Sequence, residues 1–80
     1  MKVYILTPTL QLFDGDARAV IVPGTQGQFE ILERHAPIVS SLGKGVVTVT
    51  DSQGEKHQFE ITKGFVEVLQ NEVNVLVRQA

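Results

Sequence analysis

The chain has 80 residues, seven basic and nine acidic, for a formal net charge of −2. That length suffices for one domain with one core, and the charge offers no basic footprint for nucleic acid and no polybasic segment for anionic lipid. Cysteine is absent, which excludes disulfides and thiolate metal sites, and no apolar run approaches the roughly 20 residues of a membrane helix.

The opening MKVYILTPT has neither the length and cleavage pattern of a signal peptide nor the Arg and Ser richness of a transit peptide, so a soluble intracellular protein is expected. Lys2-Val3-Tyr4-Ile5-Leu6 alternates as a strand does. Asp14-Gly15-Asp16 reads as a turn. Ala17 to Val22 reads as the next strand, with Val20 and Val22 on one face. Pro23-Gly24 carries type II turn chemistry, because Pro presets φ at the first central position and Gly takes positive φ at the second. Gln28 to Ile31 alternates again. Arg34-His35-Ala36-Pro37 reads as a corner feeding a following strand, since Pro37 drives Ala36 to extended geometry. Val46-Val47-Thr48-Val49-Thr50 is β-branched throughout and suits a pleated sheet better than a helix. Asp51 to Gly54 reads as a hairpin loop before the alternating Gln58 to Thr62. Gly64 is expected to divide two strands, Asn71-Glu72 to reverse the chain, and Val73, Val75 and Val77 to share a face. Short strands at intervals of about 8–12 residues, with no helix of useful length, predict an all-β antiparallel sandwich or flattened barrel. Residues 1–80 are expected to form a single domain.

The same alternation creates a surplus of apolar side chains. If Val66 and Val68 face the core, Phe65 and Leu69 face outward, and Leu76 and Leu6 do so by the same parity. Single exposed apolar residues are ordinary, but several on adjacent strands make a patch that suits a protein partner. Cover supplied by the chain itself is the competing reading.

Little here resembles catalysis. His35 has Ser40, Ser41, Asp14, Asp16 and Glu33 as conceivable partners, but none at a recognisable catalytic spacing, and there is no Gly-x-Ser-x-Gly turn. A histidine that caps a loop and hydrogen-bonds the backbone is the plainer reading. His57, the other histidine, lies beside Glu55 and Lys56 in a different strand, which is not a metal-ligand cluster. Gly24-x-x-Gly27 precedes a β-patterned run, whereas a phosphate cradle needs a helix N-terminus.

Two motifs together resemble a known family. Val-Pro-Gly-x-x-Gly-x-x-x-Ile-Leu-x-x-His-Ala-Pro, from Val22 to Pro37, and Gly64-Phe65-Val66-Glu67-Val68 followed by Asn71-x-Val73-x-Val75-Leu76 are similar to the N-terminal domain of the epsilon subunit of F-type ATP synthase. The likeness spans essentially all 80 residues, including Thr7-Pro8 and Phe13-Asp14-Gly15. It implies a sandwich of two five-stranded, mostly antiparallel sheets. It implies a non-catalytic rotor subunit, without cofactor, catalytic residue or metal, that couples proton flow to ATP synthesis. Its implied partners are the gamma subunit and the c-ring of the membrane sector, with no nucleic acid and no direct membrane insertion. The implied location is the cytoplasmic face of the bacterial inner membrane, as a peripheral part of the complex. Gly24, Thr25, Gln26, Gly27 and Gln28 match the loop facing the c-ring, and His35, Ser40, Phe65 and Leu76 are the candidates for the side towards gamma. Lys63 stands where the family often has a second Gly, and Gln28 where an acidic residue is common. The helical pair by which many members inhibit ATP hydrolysis would follow Arg78-Gln79-Ala80, so inhibition by that route is not expected of these residues. The alternatives are a free-standing β-sandwich module for a peptide or carbohydrate, and a small hydrolase built on His35.

Overall fold

A computed structural model describes residues 1–80. Eight strands follow one another: β1 (Lys2–Leu6), β2 (Gln11–Gly24), β3 (Gly27–Leu32), β4 (Ile38–Leu42), β5 (Gly45–Asp51), β6 (Lys56–Ile61), β7 (Lys63–Leu69) and β8 (Glu72–Arg78). Hydrogen bonding runs β1-β8-β7-β4-β2-β5-β6, with β3 also on β2, and β1 returns to pair with β2. The first half of β2 therefore completes a layer with β1, β8, β7 and β4, while its second half joins β3, β5 and β6. The expected all-β sandwich forms, with five strands in one layer and four in the other. Residues 33–37 make a corner rather than contributing a further strand. Every pairing is antiparallel except β1 with β8, where Val3 lies beside Val73 and Ile5 beside Val75.

β2 reaches both layers through one extra residue. Ala17 pairs with Asp51 but Ala19 pairs with Thr50, leaving Arg18 unmatched in a bulge. A bulge bends the strand and raises its twist. It also flips parity: Ala17 is buried before it, Val20 and Val22 after it. The Arg18 guanidinium donates to the Ser52 carbonyl at 2.8 Å and fastens the bend to the β5–β6 loop. Asp14-Gly15-Asp16, expected as a turn, lies inside β2 instead. These residues pair with Tyr4, Val3 and Lys2, so cross-strand bonding overrides their local turn preference.

All sixteen buried residues are apolar, and no buried polar side-chain atom lacks a partner. Val3 and Ile5, Val20 and Val22, Val47 and Val49, Val66 and Val68, and Val73, Val75 and Val77 meet in one cluster. Their even spacing is the inward half of each alternation. Three predicted turns move by a residue or two. Pro23-Gly24 ends β2, and the reversal falls on Thr25-Gln26, with the hairpin's twist recovered at Gly27 (φ 126°). The final reversal is Gln70-Asn71, at φ 50° and 61°, as a primed two-residue hairpin requires, and Glu72 already belongs to β8. Gly64 does not divide two strands; Thr62 does, and Gly64 lies within β7 opposite Val77.

Candidate docking face and hairpin

The outer face of the five-stranded layer follows from the register. Leu6 lies beside Leu76, Leu76 beside Phe65, and Phe65 beside Ser41, in one row across four strands. The next row is Tyr4, Asn74, Glu67 and Val39. Phe65 (43% exposed), Leu69 (54%), Leu76 (37%) and Val39 (70%) are open to solvent, so the chain does not cover this face itself. Along the first row runs an open groove of about 520 Å³, floored by Leu6, Pro8, Phe65 and Leu76 and ending at Lys63 and Arg78. It is shallow and mostly apolar, which suits a protein surface better than a reacting small molecule.

Phe65 and Leu76, predicted from parity, are thus direct cross-strand neighbours. Ser40 is not on this surface. It shares the inward parity of Leu42, is half-buried, and lines a second cleft of about 600 Å³ opposite the Gly24–Gln28 hairpin. That hairpin projects Thr25, Gln26, Gly27 and Gln28 into solvent. Thr25 N–H donates to Ser41 O at 3.0 Å and Gly43 N–H to Pro23 O at 2.8 Å, tying the hairpin to β4.

His35 sits in the corner between β3 and β4. Its amide donates to Leu32 O at 3.1 Å, and its Nδ1 lies 2.7 Å from Ala36 O. This backbone engagement is the plain reading of a loop histidine. The corner is braced from outside its own sequence. Arg34, at φ 63°, donates its amide to Asn71 Oδ1 at 2.8 Å, and Asn71 Nδ2 donates to Glu33 Oε2 at 3.1 Å. The Met1 amino group donates to Glu33 Oε1 and to Ala17 O. Hydrogen bonds from the Met1 amino group and then from Asn71 hold the Glu33 carboxyl below its ordinary value. The sequence offered no sign of this brace, because its members come from four separate segments.

A second polar cluster closes the β5–β6 end. Asp51 Oδ1 accepts the amides of Gln53 and Glu55 at 2.9 Å each, and Oδ2 lies 2.8 Å from His57 Nε2. The His57 bond foremost, then the Glu55 amide, holds Asp51 below its ordinary value. His57 also packs against Phe13, with ring centroids 5.2 Å apart. The hairpin register was the available signal, since it sets His57 opposite Val49, one step diagonal from Asp51. The pair organises a loop; no third acid, base or nucleophile joins it, and no group of three or more His, Asp or Glu side chains is arranged to hold a metal.

Fold and surface define a class: a small all-β sandwich with an apolar outer face, a projecting glycine hairpin and an apolar interior. No helix is long and apolar enough to cross a membrane. The chain belongs to the ATP synthase Delta/Epsilon chain beta-sandwich domain family, whose model matches residues 1–80. It is 36% identical over 76 residues to the ATP synthase epsilon chain of Campylobacter lari, covering 95% of this chain and 58% of that one. It is 39% identical over 80 residues to the epsilon chain of a Synechococcus strain, covering all of this chain and 58% of that one. The chain therefore spans about three-fifths of the length of these curated relatives. Among solved structures, it superposes with a TM-score of 0.84 on a chain of the Euglena gracilis mitochondrial ATP synthase (OSCP/F1/c-ring), at 20% identity over 94% of this chain and 48% of that one. A chain of the Tetrahymena thermophila mitochondrial ATP synthase central stalk and c-ring gives 0.80 at 20% identity, over 99% of this chain and 63% of that one. At that identity the structural likeness bears on the fold.

Proposed function

We propose that these 80 residues are the single β-sandwich domain of a non-catalytic, rotor-borne epsilon subunit of a proton-translocating F-type ATP synthase. In this reading the domain sits peripherally on the cytoplasmic side of a bacterial inner membrane. The Gly24–Gln28 hairpin meets the c-ring, and the face carrying Phe65 and Leu76 meets the gamma subunit. The observation that carries the reading is the family match along the whole chain, on a fold whose outer row leaves Phe65 and Leu76 exposed beside a half-buried Leu6. Apolar side chains on adjacent strands gain by being removed from water, at roughly 25 cal/mol per Å².

The test is reconstitution with the gamma subunit of the same organism. A stable one-to-one complex on size exclusion is the expected result, and a folded monomer that ignores gamma would overturn it. The hairpin assignment has its own test. Gly27 holds φ 126°, a value a β-branched residue adopts only under strain of about 1–3 kcal/mol. Gly27→Val is expected to distort the tip and weaken ATP-driven proton pumping while leaving ATP hydrolysis by the catalytic head intact. Pumping at wild-type levels would remove the hairpin from the ring contact.

A further inference from the structure

The groove ends in an electrostatic conflict. Lys63 and Arg78 are direct partners in the β7–β8 pairing, and their side chains rise on the same face as Phe65 and Leu76, the next outward pair along. Like charges directly opposite each other destabilise a sheet. No carboxylate relieves this one: the ion pairs of the molecule are Met1 with Glu33, Lys2 with Asp14, and His57 with Asp51. The backbone beneath is fixed, because Arg78 O accepts both the amide of Thr62 at 2.8 Å and its hydroxyl at 3.2 Å. Two cations therefore stand on a rigid strand end, at the margin of an apolar floor.

We propose that the groove receives an apolar segment of the gamma subunit bearing a carboxylate, and that this carboxylate sits between Lys63 and Arg78. The inference rests on the assignment of this face to gamma and adds the chemistry of the partner. A guanidinium offers a planar fork that matches a carboxylate bidentately, and an ammonium adds a point charge. One anion between them turns a repulsive pair into two attractive contacts, while Leu6, Pro8, Phe65 and Leu76 take up the partner's apolar side chains. A free inorganic anion would satisfy the cations but leave that floor wet. A polyanion such as nucleic acid would meet a molecule of net charge −2.

The experiment titrates the gamma subunit against the wild type, the double variant Lys63→Glu/Arg78→Glu, the double variant Lys63→Gln/Arg78→Gln, and Leu76→Asp, each at low and high salt. All three positions are exposed, and a thermal melt confirms that each variant is folded. The charge reversal is expected to weaken the complex by on the order of tenfold or more at low salt. The Gln pair is expected to flatten the salt dependence of the wild type, and Leu76→Asp to weaken binding at every salt concentration. Charge variants that bind as tightly as the wild type while Leu76→Asp does not would overturn the carboxylate and keep the face. Full binding by Leu76→Asp as well would remove the face itself.

Discussion

Gly64→Ala tests the packing of β7 on β8 at the edge of the apolar groove. A Cβ built on Gly64 would lie 2.3 Å from the Leu76 carbonyl oxygen and 3.0 Å from the Val77 Cα. Ordinary contact begins at 3.4 Å, so the methyl is about an ångström too close. The obstacle is backbone and cannot rotate aside. The strands must part at the Gly64–Val77 pair, straining the ladder on either side. Overpacking of this kind costs about 1–3 kcal/mol, and one weakened ladder bond adds about 1 kcal/mol. The alanine's lower unfolded-state entropy offsets about 0.4–1 kcal/mol. The net loss is about 1–3.5 kcal/mol, and at about 4–8 °C per kcal/mol for a domain this size the melting point falls by on the order of 5–25 °C. The assay is a reversible thermal melt followed by far-ultraviolet circular dichroism. Gly43→Ala is the control: the nearest atom to its Cβ is 4.0 Å away, and its melting point is expected to hold or rise by a few degrees. If Gly64→Ala melts within 2 °C (roughly 0.4 kcal/mol) of the wild type, the close approach of the two backbones is wrong.

Two further predictions concern the register of β3 and the Asp51–His57 pair. Ile31 is the one fully buried residue of β3 and Leu32 beside it is 52% exposed, so Ile31→Ala is expected to cost about 2–5 kcal/mol and Leu32→Ala about 0.5 kcal/mol or less; equal losses in urea unfolding would mean that the register of β3 is inverted. Asp51 ionises below its ordinary value of 3.8, so its contribution is present above that pH and is lost as pH falls through the lower folded value. Asp51→Asn keeps the oxygen that accepts the loop amides and removes the charge facing His57. Its melting point should therefore trail the wild type at pH 6 and converge with it near pH 2, and a gap that stays constant over that range would dismiss the ionised pair.

Much of the fold could be read from residue spacing alone. The inward valines of β1, β5, β7 and β8 are where alternation puts them, because a half-buried strand has only two faces to choose between. From that followed the outward positions of Leu6, Phe65, Leu69 and Leu76. The failures have a common origin in cross-strand bonding. Asp14-Gly15-Asp16 has turn residues but sits in a strand because β1 claims its backbone. The Arg18 bulge, which makes one strand serve two layers, depends on register with β5 and has no local signature. β4 was legible only as a strand after Pro37, since its inward row contains Ser40 and its outward row Val39, so polarity does not sort its faces. Ser40, a gamma-side candidate by resemblance alone, shares the parity of Leu42 rather than that of Val39. The Glu33–Asn71 brace and the Asp51–His57 pair are contacts between side chains that only the folded geometry brings together.

The parallel pairing of β1 with β8 governs the order of events during synthesis. The first strand of the sandwich has two neighbours, and one of them is its last strand. Until residue 78 is available, one edge of β1 and one edge of β7 are open, and Val3 and Ile5 lack their companions Val73 and Val75 from β8. The sandwich therefore closes late, by contacts between the most distant parts of its sequence, and such topologies fold in milliseconds to seconds rather than microseconds. A chain in that interval exposes unpaired β edges of the kind that invite wrong partners, so the domain is most open to mispairing before β8 docks between β1 and β7.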